Sequence, residues 1–223
     1  MDYLYETHMH TSEVSACAGS TAAEQVHAYK QIGYAGIIIT DHFVNGYSTC
    51  PKEEPWDIRM KHFYTGYQNA KIAGDDCGLD VFFGWEYTIR GSDFLTYGLD
   101  FEFLLAHPNF DMLPIDQYSA LVRDCGGFIA QAHPYRDAWY VENKFPVDSH
   151  LIDAIEVFNS MDSDKSNKKA SEYALLHNLP LQAGSDSHHT RHAHYSGIKM
   201  STKANDVFDI INAILDKKVE LVT

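Results

Sequence analysis

The chain has 223 residues, enough for one domain with a substantial buried core. Its composition, 45% apolar and 22% charged, is that of an ordinary globular protein, and apolar stretches such as Ala35 to Ile39 are far too short to span a bilayer. A formal net charge of -14, with no cluster of Lys or Arg, disfavours a long nucleic acid as partner.

Near the N-terminus the chain enters Tyr3-Leu4-Tyr5-Glu6 with no basic segment and no cleavable apolar run. The four cysteines (Cys17, Cys50, Cys77, Cys125) lie apart, without a C-x-x-C pair. A reduced, cytoplasmic setting is the expectation.

In chain order, a strand is expected over Tyr3 to Thr7, then a helix from Thr21 to Ile32 capped by Ser20 with Glu24 close behind. Ala35 to Thr40 reads as a buried strand. An irregular stretch containing Pro51 and Pro55 leads to a helix over Trp56 to Ala73. Strands follow at Val81 to Trp85 and Phe94 to Leu99, then a helix at Ile115 to Asp124 and a buried strand at Gly127 to Ala132. Ala154 to Phe158 is a strand, Ser166 to His177 a helix and Pro180 to Ala183 a strand. The chain closes with Gly197 to Met200, a helix over Asn205 to Leu215, and Val219 to Val222. Short apolar strands alternating with helices imply an α/β fold with a parallel sheet under helices, and the number of units favours a single barrel over residues 1–223.

Thirteen histidines is an unusual number, and their placement carries the chemistry. His8 and His10 end the first strand as His-x-His; Asp41 and His42 end the second; Glu86 ends the third. His133 ends the strand finishing Gln131-Ala132, Glu156 lies in Ile155-Glu156-Val157, and Asp186 and His188 follow Ala183-Gly184-Ser185. In parallel α/β barrels the C-terminal strand ends build the active site, so these scattered residues are expected to converge. Alternate strand residues point the same way, so His8 and His10 can grip one ion together, and Asp186 and His188 repeat that spacing. Neutral imidazole suits zinc, iron and manganese, and a carboxylate such as Glu86 can bridge two ions. Asp41 and Glu156 are expected to orient a histidine or accept a substrate hydrogen bond. His27, His62, His150 and His177 read as ordinary histidines, and His107 as a loop residue before Pro108.

Thr7-His8-Met9-His10-Thr11, Ile39-Thr40-Asp41-His42, Glu86, Ala132-His133-Pro134 and Gly184-Ser185-Asp186-Ser187-His188 together resemble the motifs of the PHP (polymerase and histidinol phosphatase) family, in the same order and over nearly the whole chain. The resemblance implies a distorted (β/α)7 TIM-like barrel with two or three divalent ions, commonly zinc, manganese or iron. It implies that His8, His10, Glu86 and Asp186 hold one ion, that Glu86 and His133 hold a second, and that His42 with His188 holds a third. Two positions depart from the family pattern. Cys17 stands where a His or Asp ligand is frequent, and is read either as a thiolate ligand or as an inert thiol. Asp93 stands where a ligand histidine is frequent.

The reaction expected is hydrolysis of a phosphate ester by a metal-activated water. A small phosphorylated molecule, as in histidinol phosphatases, is the first expectation for the substrate. The alternatives are a phosphodiesterase or exonuclease on short nucleic acids, and a non-catalytic metal-binding or regulatory module. Of five arginines, Arg136 lies nearest the expected site and Arg191 second, as candidates to hold the phosphate. His189, His192 and His194 either enrich the rim or are solvated. The loop from Phe43 to Trp56 and the aromatics between Tyr135 and Tyr140 are expected to shape the substrate pocket.

Overall fold

The apolar runs read as strands all join a single sheet in a computed structural model that describes residues 2–193 and 196–223. The strands are β1 (Tyr3–Glu6), β2 (Gly36–Ile39), β3 (Asp80–Ile89), β4 (Ser92–Tyr97), β5 (Phe128–Ala132), β6 (Ala154–Asn159), β7 (Leu181–Gly184), β8 (Gly197–Met200) and β9 (Glu220–Val222). The helices are α1 (Ala22–Gln31), α2 (Trp56–Phe63), α3 (Thr65–Cys77), α4 (Phe101–Ala106), α5 (Ile115–Asp124), α6 (Asp164–His177) and α7 (Val207–Leu215). The spatial order is β7-β6-β5-β4-β3-β2-β1-β8-β9.

Strands β1, β2 and β3 run parallel, as do β5, β6 and β7. Strand β4 is reversed, pairing antiparallel with both β3 and β5. A two-residue turn at Arg90 and Gly91, with φ of 51° and 78°, makes the β3–β4 hairpin. Strands β8 and β9 are also antiparallel additions, so among the described residues nine strands stand where seven parallel units were expected. The barrel closes just past the ends of β1 and β7. There Met9 bridges Ser187 in parallel, His10 N donates to Ser187 O at 2.9 Å, and Thr7 Oγ1 donates to Ala183 O at 2.8 Å. Closure therefore occurs at the end of the sheet that carries the histidines.

Local chemistry explains the elements. All four residues of β2 are buried, as expected of a strand covered on both faces. The cap of α1 is Thr21, one residue later than expected, in a capping box with Glu24. The run read as one helix from Trp56 is two, interrupted at Tyr64. Gly66, in the first turn of α3, lets that helix approach the sheet: a Cβ there would overlap the Asp41 and Thr11 side chains.

The core is divided by layer. Helices α1 and α3 cover β2 through Val26, Tyr29, Ile37 and Ala70. Helix α7 contributes Ile210, Ile211 and Ile214 to a cluster with Tyr5, Ile38, Leu95 and Tyr97. A larger aromatic cluster joins Phe43, Phe63, Trp85, Tyr87, Phe110 and Tyr118. Among the described residues, no helix is long and apolar enough to cross a membrane.

Candidate metal centre

His8 and His10 leave the end of β1 with no solvent exposure at all. Beside them, His42 and Glu86 form a parallel bridge three residues beyond Ile39↔Phe83, the last pair of β2 with β3. His133 follows β5 and Asp186 follows β7, and both have positive φ, 28° and 55°. Non-glycine residues rarely adopt this region, and holding each there costs about 1–3 kcal/mol. Hydrogen bonds hold the site end of β5: Glu156 Oε2 accepts from His133 N at 3.0 Å.

The side chains converge. His8 Nε2 lies 3.2 Å from Glu86 Oε1 and 3.5 Å from Asp186 Oδ1, and His10 Nε2 lies 3.2 Å from the same Asp186 oxygen. His133 Nε2 is 3.1 Å from Glu86 Oε1 and 3.9 Å from Asp93 Oδ2. Among the described residues, sets of ligand-type atoms within 4.8 Å of one another include His8, His10 and Glu86; Glu86, Asp93 and His133; and His10, His42 and His188. Glu86 thus belongs to two sets and stands between them. Asp93 reaches the site because β4 is reversed and presents its first residues, not its last, at this end.

His8, His10 and His188 each have Nδ1 engaged in a hydrogen bond that turns the Nε2 lone pair inward. Glu156 Oε1 accepts from His8 Nδ1 at 3.0 Å, which leaves His8 Nε2 as a donor atom for an ion. Ser15 Oγ donates to Asp41 Oδ1 at 2.7 Å, so it accepts from His10 Nδ1 at 3.0 Å and from His42 N at 3.0 Å. Asp41 also accepts from Thr11 N and Thr11 Oγ1. His188 Nδ1 donates to Asp186 O at 2.8 Å. Ser15 and Thr11 were not singled out in the sequence, because small hydroxyl residues near His-x-His carry no distinctive spacing.

The electrostatics ask for positive charge here. Burial alone would lower His8, but Asp186, Glu156 and Glu86 outweigh it and raise it well above the usual histidine range. Burial opposes ionisation of Glu86, yet His42 and His8 hold its carboxyl well below the usual range. His42 Nδ1 and Glu86 Oε2 lie 2.7 Å apart but are angled so that no hydrogen bond joins them, and both atoms are buried. Two unpartnered donor atoms facing one another amid imidazoles and carboxylates fit a divalent cation.

Behind the cluster lies a buried carboxylate that sequence reasoning missed. Glu6 accepts from His8 N at 2.8 Å, Ser185 N at 3.0 Å and Tyr29 Oη at 3.0 Å, tying β1 to the loop after β7. Burial pushes its carboxyl up to about 7. Gly184 keeps space for the neighbouring pair, since a Cβ there would sit 2.7 Å from Glu156 Oε1 and closer still to His8.

Arg136 is placed at the site but differently from the simplest expectation. Its Nη2 donates to Asp186 Oδ2 at 2.7 Å and Asn159 Oδ1 at 3.0 Å, and its Nε donates to Asp162 Oδ1 at 2.8 Å. Two carboxylates thus hold the guanidinium, which braces Asp186. Cys17 lies against His42 and His188; burial pushes its thiol up, but hydrogen bonds with the two imidazoles outweigh that and bring it to about 7.

Two cavities meet over the cluster, sharing Cys17, Arg136, Tyr140, Asp186 and His188. One, of about 630 Å³, has Glu86, Asp93 and His133 at its floor and Tyr47, Trp139 and Tyr140 at its rim. The other, of about 660 Å³, is flanked by His189, Arg191 and His192. His194 lies outside the described residues. His27, His62, His150 and His177 line neither cavity, and His107 caps α4 by bonding Phe103 O at 2.8 Å.

No protein-family profile matches the sequence, and no curated protein matches it significantly. Solved structures do. A two-domain protein of Bacteroides vulgatus containing a predicted PHP-like metal-dependent phosphoesterase superposes with a TM-score of 0.75 at 16% identity, over 99% of this chain and 64% of that one. The fold is the PHP-like barrel. A proposed metal-dependent phosphoesterase of Bifidobacterium adolescentis superposes with a TM-score of 0.59 at 14% identity, over 97% of this chain and 96% of that one. The lesion-specific endonuclease PfuEndoQ of Pyrococcus furiosus superposes with a TM-score of 0.64 at 14% identity, over 99% of this chain and 58% of that one. This chain therefore spans less than two thirds of the Bacteroides and Pyrococcus proteins.

Proposed function

We propose that this chain is a metal-dependent phosphoesterase acting on small phosphomonoesters, in a reduced cytoplasmic setting. The observation that carries the reading is the convergence of residues from the strand ends on one buried cluster, in which His42 Nδ1 and Glu86 Oε2 face each other without a hydrogen-bond partner. In this reading His8, His10, Glu86 and Asp186 hold one divalent ion, Glu86 with His133 and Asp93 a second, and His42 with His188 a third. Zinc, manganese or iron ions bound there supply Lewis-acid polarisation of phosphoryl oxygens and a nucleophilic water at neutral pH.

The remaining residues position and select. Glu156, and Asp41 acting through Ser15, keep His8 and His10 in the ligating tautomer. Arg136 holds Asp186 in place and lines both cavities, where its guanidinium also borders the space a phosphate would occupy. The organic part of the ester lies against Tyr47, Trp139 and Tyr140. Trp139 is 95% exposed, so its ring face is free to meet a substrate group at the rim.

Because the fold is shared with an endonuclease, the decisive comparison is monoester against diester. Metal-loaded protein is expected to turn over p-nitrophenyl phosphate in preference to bis-p-nitrophenyl phosphate; preference for the diester would shift the reading to nuclease-type chemistry. In the same assay Trp139→Ala should raise KM for the aryl monoester about 2–10-fold, the worth of one aromatic contact, with kcat little moved. An equal rise for glycerol phosphate, which has no ring, would remove Trp139 from the leaving-group site.

A further inference from the structure

Asp93 comes to the cluster from the reversed strand β4, and its aim is set from β3. Thr88 and Asp93 stand opposite one another in the β3–β4 pairing, and Thr88 Oγ1 donates to Asp93 Oδ1 at 2.6 Å. A threonine hydroxyl has one hydrogen to give, and here it goes to a single carboxylate oxygen. That bond occupies Oδ1 and leaves Oδ2, 3.9 Å from His133 Nε2, for an ion. Thr88 is held on its other edge by the loop that follows His42. Asn45 Nδ2 donates to Thr88 O at 2.8 Å and Asn45 Oδ1 accepts from Thr88 N at 3.4 Å, so one side-chain amide takes the place of a neighbouring strand. Gly46 leaves room for the hydroxyl: a Cβ there would lie 2.9 Å from Thr88 Oγ1.

We infer that Thr88, braced by Asn45, is a positioning residue that aims Asp93 at the second ion site and makes it the site for a hard, oxygen-preferring ion such as manganese. The inference rests on the metal-centre reading above. The ligand-type atoms of Glu86, Asp93 and His133 lie within 4.8 Å of one another, two carboxylates to one imidazole, whereas His10, His42 and His188 offer imidazoles alone. Carboxylate oxygens suit manganese and magnesium, while imidazole nitrogens suit zinc. Two carboxylates this close, with the Asp93 side chain only 13% exposed, repel one another unless a cation lies between them. The site also opens on the space for a substrate: Glu86, Thr88, Asp93 and His133 line the cavity of about 630 Å³ whose rim carries Trp139. An ion held by the carboxylate that Thr88 aims is therefore the one that meets a phosphoryl oxygen entering from that side.

The test is a manganese(II) titration of the metal-free full chain, with bound ion counted by loss of the free-ion electron paramagnetic resonance signal. Thr88→Val keeps the branched shape and removes the hydroxyl, Thr88→Ser keeps the hydroxyl, and circular dichroism checks folding. Thr88→Val is expected to bind one manganese per chain about 10–100-fold more weakly than the wild type, the usual effect of losing a partner of a metal ligand, and Thr88→Ser to bind as the wild type does. Zinc content at saturation, by elemental analysis, should stay unchanged in both, because zinc binds a given donor set more tightly than manganese and survives the same loss. Asn45→Ala, which leaves the hydroxyl but frees Thr88, should weaken manganese in the same direction, and it carries the test if Thr88→Val does not fold. Manganese binding unchanged in folded Thr88→Val or in Asn45→Ala, equal weakening in Thr88→Ser, or zinc lost along with manganese overturns this inference and leaves the metal centre standing. A wild type that takes up zinc but no manganese does the same, and one that takes up neither overturns both together.

Discussion

Asp186→Asn is expected to lower metal-dependent turnover about 10²–10³-fold, the usual cost of removing one electrostatic contributor at a reacting centre. The carboxylate serves two neighbours at once. Its Oδ1 stands 3.2 Å from His10 Nε2 and 3.5 Å from His8 Nε2, while its Oδ2 accepts from Arg136 at 2.7 Å. An amide of the same shape removes the anionic ligand and sets an N–H2 or a weaker acceptor against a buried guanidinium. Arg136 keeps Asp162, so the fold should survive while the site loses charge balance. The backbone at Asp186 also sits at φ 55°, which asparagine tolerates as well as aspartate does, so strain does not confound the comparison. Metal content and turnover should fall together. Wild-type turnover in a folded Asp186→Asn protein would remove Asp186 from the centre.

Glu156→Gln tests the supporting layer. One carboxylate accepts from His8 Nδ1 through Oε1, and from His133 N and Asn159 Nδ2 through Oε2. It therefore fixes the His8 ring just past β1 and the strained backbone of His133 after β5. Glutamine offers a single acceptor oxygen, so it must leave either His8 or the His133–Asn159 pair facing an amide N–H2. Metal affinity should fall about 10–100-fold, as is typical for partners of ligating histidines. Because the ligands themselves remain, excess metal should restore much of the turnover. That rescue separates a positioning residue from a ligand: Asp186→Asn should not recover in the same titration. Unchanged affinity would mean that the His8–Glu156 bond carries no orienting load.

What the sequence discloses about this site depends on how local each contact is. His8, His10, His42, His133, Asp186 and His188 follow strands whose apolar runs are visible, Glu86 lies within β3, which runs on to Ile89, and parallel strands deliver their ends to one face. Asp93 breaks that logic because β4 is antiparallel, so its starting end meets the site. The Arg90-Gly91 pair between two apolar runs was the available signal for that reversal, as a two-residue hairpin loop. Glu6, Ser15 and Asn159 stayed invisible for a different reason. Each acts through a hydrogen bond across the fold, such as Glu6 to Ser185 over 179 positions, and no local spacing encodes such a bond. Arg136 was placed near the site by its distance from His133, but its bonding to Asp162 and Asp186 appears only when the loops after β6 and β7 are brought together. The division of the long helix at Tyr64 was likewise illegible, since neither proline nor glycine occupies that position.

In the proposed function this cluster binds divalent ions and uses them on phosphate esters. The measurement that tests it most directly is elemental analysis of the purified wild-type chain, paired with p-nitrophenyl phosphate turnover before chelation, after chelation and after metal is returned. Two or three ions per chain are expected, with turnover lost with the ions and restored with them. A folded protein that holds less than one ion per chain, and whose behaviour towards the ester ignores added zinc, manganese and iron, would contradict it.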